Sequence, residues 1–128
     1  MNPISITINR IPTPCPSNRL YRAFLGKGMR FPRTILSAEA RKKRAAVCAH
    51  IIATLKVRPM LACPLSLHYT ITPRDRRLPD VDAFEKALLD CLQHAGVVAN
   101  DRCVVHVTKE RLAPCSPGWL DISLTEVP

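Results

Sequence analysis

No stretch of this 128-residue sequence is apolar over the roughly 20 residues that a membrane-crossing helix needs, so a helix spanning a bilayer is excluded. Aromatic residues are scarce, at 5%, and the core must therefore be mostly aliphatic. Only four glycines are present. None belongs to a glycine-rich loop after a strand, which removes the common phosphate cradles. Six cysteines occur, at 15, 48, 63, 91, 103 and 115. No two form C-x-x-C, and none lies with histidine at zinc-ligand spacing. The N-terminal MNPISITINR alternates apolar and polar residues, as a strand does and a secretory leader does not. The thiols are accordingly read as reduced, and a cytoplasmic location without membrane attachment is expected. The four histidines, His50, His68, His94 and His106, are scattered and form no ligand pair.

Acid is also scarce. Asp and Glu total 10 against 19 Lys and Arg, for a formal net charge of +9. Most of the excess lies between Arg19 and Arg44, where nine basic residues face one acid, Glu39, so that window carries 9 − 1 = +8. A field so concentrated attracts polyanions, nucleic acid first; a solvated basic face is the plainer reading of the same run. Arg41, Lys42, Lys43 and Arg44 fall in the first turns of an expected helix. There cations oppose the helix dipole, so local stability does not account for them, whereas phosphate contacts would.

Apolar periodicity predicts strands at 3–11, 64–72, 103–110 and 119–127, with helices at about 38–55 and 81–95. Ser37 suits an N-cap and Gly96 a C-terminal stop. The order is β-α-β-α-β-β: a single α/β domain over 1–128, with a mixed sheet and two helices. Residues 12–36, with four prolines and two glycines, read as an irregular basic arm, long enough to be functional or ordered by a partner.

The segment RDRRLPDVDAFEKALLDCLQHAGVVAND sets arginines directly before Asp80 and Asp82, and ends on Asp101. Three carboxylates supply hard oxygen ligands suited to Mg²⁺, and Lys86 follows Asp82 by four residues, one helical turn. The same acids also suit a helix N-terminus and a turn without any metal, and spacing alone leaves both readings open.

In order and spacing, Asp80, Asp82, Lys86, Ala95-Gly96 and Asn100-Asp101 resemble the central signature of the RusA family of Holliday-junction resolvases. CPSNRLYR at 15–22 is similar to that family's N-terminal P-S-N-x-x-Y segment, and Ser37-Ala38-Glu39 to the start of its first long helix. The resemblance implies a mixed α/β fold and a Mg²⁺-dependent endodeoxyribonuclease, with Mn²⁺ as an alternative ion. Such an enzyme works as a homodimer and makes paired nicks in four-way DNA junctions during recombination and repair. It also implies Asp80, Asp82 and Asp101 as metal ligands and Lys86 as the essential lysine. DNA contacts are then expected from Arg19, Arg22, Arg41, Lys42, Lys43, Arg44, Arg76 and Arg77. One position departs from the pattern: Ala83 stands where the family usually has Asn. That departure keeps a second expectation alive, a junction-binding protein of the same fold with weakened catalysis.

Overall fold

The computed structural model describes residues 3–128. Strands β1 (Ser5–Ile11), β4 (Leu65–Thr72), β5 (Val104–Arg111) and β6 (Trp119–Glu126) form one sheet in the order β1-β6-β4-β5. The β4–β5 pair is parallel, and β6 runs antiparallel to both of its neighbours. Helices α1 (Ala38–Leu55) and α2 (Glu85–His94) cover one face. The period-2 pattern explains this one-sided arrangement. Leu65, Leu67, Tyr69 and Ile71 of β4, with Leu120, Ile122 and Leu124 of β6, are all buried against the helices. Between them, His68 of β4 is exposed, and its Nδ1 lies 2.6 Å from Thr108 Oγ1 on the open face.

The expected α/β fold and element order are present. The stretch at 12–36 differs from the irregular arm that was expected. It contains a 3₁₀ turn (Ser17–Arg19) and a two-stranded hairpin, β2 (Tyr21–Phe24) and β3 (Arg33–Leu36). Its prolines cluster at 12–16 and at 32, which leaves two short runs free to pair. The segment is also docked on its own chain, because Cys15 and Leu20 are buried with Ala40 and Ala87 of the helices. Ser37 fastens it: its hydroxyl donates to Arg19 O at 2.7 Å and accepts from Ala40 N at 3.0 Å, capping α1 with the same atom. All six cysteines are free, and no helix of the described residues is long and apolar enough to cross a membrane.

Helix α2 begins four residues later than the periodicity predicts. Ahead of it, Ala83 N donates to Asp80 O and Glu85 N to Asp82 O, both closing four-residue turns. The reason lies in the carbonyls. Val81 O, which a helix beginning at 81 would give to the amide of Glu85, accepts instead from the Tyr69 hydroxyl at 2.9 Å. At the far end the fit is as expected: Gly96 takes φ +79, where a Cβ would also meet Arg58 Cδ at 3.0 Å.

Candidate active site

Asp80 and Asp82 therefore sit on a turn in front of α2, both exposed. They line a cleft of ≈ 1160 Å³ walled by the 12–19 segment, the 72–84 loop and the start of β6. Three residues from distant parts of the same chain hold the turn by alternate carbonyls. Arg111 Nη1 donates to Pro79 O at 2.6 Å, Tyr69 Oη to Val81 O at 2.9 Å, and Ser17 donates its N at 2.9 Å and its Oγ at 3.1 Å to Ala83 O. The Ser17 contact gives the 15–22 segment a structural role at the acidic turn.

The neighbouring arginines do not neutralise this pair. Asp75 takes them: its carboxylate accepts from Arg77 N at 2.9 Å and Arg77 Nη2 at 3.2 Å, and lies 3.5 Å from Arg74 Nε. Those contacts, the Arg77 amide foremost, hold the Asp75 carboxyl below its ordinary range. The carboxylates of Asp80 and Asp82 form no ion pair among the described residues. Two exposed, unpartnered, all-oxygen donors two residues apart on a fixed turn suit a hard divalent cation with a largely aqueous shell.

Asp101 is elsewhere. Its amide donates to Gln93 Oε1 at 3.1 Å, in the last turn of α2, whereas Asp82 precedes the first. Helix α2 has ten residues, and at 1.5 Å per residue it separates the two ends by about 15 Å. Strand β5 measures the same gap. It starts just beyond Asp101, and its Lys109 reaches Glu85 at the front of α2. The five residue steps from Val104 to Lys109 span about 16 Å. Oxygens sharing one Mg²⁺ lie about 2 Å from it, so one chain does not unite the three aspartates. Among the described residues, no three His, Cys, Asp or Glu side chains of one chain converge on a common point.

Lys86 also differs from its expected pairing. Because Asp82 lies outside the helix, the two do not stack as i,i+4 neighbours, and the Lys86 ammonium instead rests 4.7 Å from the Tyr21 ring centroid. Of the eight cations expected to contact DNA, Arg19, Lys43 and Arg77 line the cleft with the aspartates. Arg22 lies on the hairpin, 5.8 Å from the Phe24 ring centroid, and Arg76 is exposed on the 72–84 loop. Arg41 and Lys42 are exposed on α1 outside the cleft lining. Lys43 pairs with Glu39 at 3.3 Å and Arg44 with Asp90 at 3.5 Å. Such solvent-accessible pairs contribute about 0–1 kcal/mol each, little enough for a phosphate to displace the acid.

Two cleft cations were not anticipated. Arg10 takes φ +58 at a register shift between Ile8 and Ile11. Its guanidinium lies 4.0 Å from the Trp119 ring centroid, while its amide donates to Asp121 Oδ1 at 2.9 Å. Arg74 lines the cleft where Gly118 approaches so closely that a Cβ there would meet Arg74 N at 2.8 Å. No periodicity signals a bulge, and only the basic character of the loop pointed to Arg74. The network under the turn was missed as well. Tyr69 Oη also lies 3.0 Å from Glu85 Oε1, which accepts from Lys109 Nζ at 2.8 Å. Burial first, and Glu85 second, push the Tyr69 hydroxyl well above the ordinary phenol range, so it remains a donor.

Comparison with known proteins identifies relatives of this chain. The family described as "Endodeoxyribonuclease RusA" matches residues 12–119. The "Crossover junction endodeoxyribonuclease RusA" of Escherichia coli strain K12 is 34% identical over 127 residues, covering 99% of this chain and 98% of the relative. The proteins of that name from Shigella sonnei strain Ss046 and from Enterobacteria phage 82 are each 33% identical over the same shares. A match over most of the length, spanning the acidic turn and the Ser17 segment that grips it, means that the chain belongs to the RusA family of endodeoxyribonucleases.

Proposed function

We propose that this protein is a Mg²⁺-dependent endonuclease that resolves four-way DNA junctions by paired nicks, acting as a homodimer in the cytoplasm. The observation that carries the reading is the pair of unpartnered carboxylates held on a braced turn inside a cation-lined cleft, in a chain whose relatives are named crossover junction endodeoxyribonucleases. Acids so placed would repel DNA on their own, and a divalent cation reverses the sign of that interaction.

Asp80 and Asp82 are the ligands one chain provides; Mn²⁺ fits the same donors. When bound, the ion supplies Lewis-acid charge that offsets the negative charge gathering on a phosphodiester under attack. Arg10, Arg19, Arg74 and Arg77 flank the aspartates and hold the backbone. Lys86, the second residue of α2, lies outside the cleft lining and brings positive charge to the same phosphate only by leaving the Tyr21 ring. Its contact with the Tyr21 ring, worth about 0.5–1 kcal/mol at an exposed site, is weak enough to give way. The distance of Asp101 motivates the dimer: a C₂ partner can bring its own Asp101 to the turn, and the same axis supplies two sites for two strands.

The test is a nicking assay on a synthetic four-way junction. Cutting in Mg²⁺ that stops on chelation and leaves linear duplex intact is expected; no cutting with either Mg²⁺ or Mn²⁺ would refute it. Ala83 favours a second reading, a junction binder with weakened catalysis, because its side chain packs against the core and brings no polar group to the turn. Tight junction binding without nicking would select that reading.

The cleft cations give a separate expectation. Replacing Arg10 and Arg74 by Ala should flatten the slope of log K against log salt by about 1.8, from about 0.9 per lost phosphate contact. An unchanged slope would place the DNA elsewhere.

A further inference from the structure

The three groups that hold the acidic turn are not alike. Ser17 is exposed and Arg111 ends an edge strand, but Tyr69 has no exposed surface. Its hydroxyl has one proton and faces two acceptors, Val81 O at 2.9 Å and Glu85 Oε1 at 3.0 Å. An ionised carboxylate is the stronger acceptor. Left alone, Glu85 would draw the proton away from the carbonyl that lies between the two aspartates. Lys109 answers this. It is Tyr69's direct register partner in the parallel β4–β5 pair, and its ammonium sits 2.8 Å from the same Glu85 oxygen.

Resting on the nuclease reading above, we propose that Tyr69 is a positioning residue for the Asp80–Asp82 turn, and that the Lys109–Glu85 pair keeps its single proton directed at Val81 O. Tyr69 touches no substrate. It acts by fixing the carbonyl between the two aspartates, so that their carboxylates are already placed when a cation arrives. Lys109 acts only through Tyr69, by occupying the competing oxygen. The two effects are therefore coupled and should not add.

Hydrogen exchange on the full-length, metal-free chain tests this without reference to activity. The amides of Ala83 and Glu85 close the turns onto Asp80 O and Asp82 O and report its rigidity. Tyr69→Phe keeps the buried ring and removes only the hydroxyl. It should speed exchange at both amides by roughly 3- to 10-fold, the worth of one ordinary hydrogen bond. Amides of Val47 and Leu124 in the core should not change. Lys109→Met should act in the same direction in the wild-type background and add nothing to Tyr69→Phe. In nicking assays, Tyr69→Phe should raise the half-saturating Mg²⁺ concentration by a similar factor, with metal-free junction affinity unchanged. Unaltered exchange at Ala83 and Glu85 in Tyr69→Phe would overturn the proposal, as would an equal effect of Lys109→Met in both backgrounds, which would mark a plain charge effect. A wild-type chain that never nicks would refute the nuclease reading, and the exchange rates would still decide the role of Tyr69.

Discussion

Asp82→Asn is expected to reduce Mg²⁺-dependent nicking by about 1000-fold or more, the scale on which loss of a charge-stabilising group reaches the rate. Junction affinity should be kept or improved. The side chain is exposed and forms no ion pair among the described residues, so the fold should lose no more than about 0.5 kcal/mol, as at other surface sites without a partner. An amide of the same shape preserves the turn and removes one negative charge from beside the phosphates. Asp80→Asn should behave alike. Asp75→Asn serves as the contrast: it frees Arg74 and Arg77 from their internal counter-ion and should tighten DNA binding while nicking continues. Nicking rates, junction affinity and thermal midpoints on the same preparations check all three. Wild-type cutting by the Asp80 and Asp82 variants would reduce these acids to ordinary decoration of a helix terminus.

Much of the fold was legible because its signals are local. The alternation in β4 and β6, the Ser37 cap and the Gly96 stop all depend on residues within one element, and each falls within a residue or two of its predicted place. The errors arise where distant groups override local preference. The start of α2 moves because Tyr69, twelve residues upstream of Val81 in sequence, takes that carbonyl. The hairpin at 21–36 was hidden by prolines that bracket its strands rather than interrupt them. Trp119, the first residue of β6, is half-buried with Arg10 over its ring. Its neighbour Leu120 faces inward instead, since β6 begins at Trp119 and its inward register is 120, 122 and 124.

The candidate site divides in the same way. Spacing and resemblance point to Asp80, Asp82, Lys86 and Asp101, and the structure places the two aspartates, but neither Lys86 nor Asp101, in the lining of one cleft. Their bracing by Ser17, Tyr69 and Arg111 was not readable, because each contact joins segments at least 12 residues apart. The basic cluster 41–44 was visible as composition, but composition does not tell which charges are already answered. Lys43 and Arg44 have acidic partners, while Arg41 and Lys42 form no ion pair among the described residues.

The separation of Asp101 from Asp80 and Asp82 leads to the second large effect and to the most direct test of a site shared between two copies. Asp82→Asn and Asp101→Asn should each be inactive as homodimers. In a dimer that contains one of each, one site pairs both altered residues and the other pairs an intact Asp80–Asp82 turn with an intact Asp101. Mixing and refolding the two inactive proteins in equal amounts should therefore restore nicking. Half the dimers are then mixed and each carries one live site of two, so the recovered rate should approach about a quarter of wild type, as single rather than paired nicks. Sites built within one chain give no recovery, because every mixed dimer then holds two damaged sites. The measurement is the nicking rate of the refolded mixture on a four-way junction, with light scattering to establish that dimers have formed. Recovered single-strand nicking is the predicted result, and a dimeric mixture as inactive as its two components would contradict the shared site.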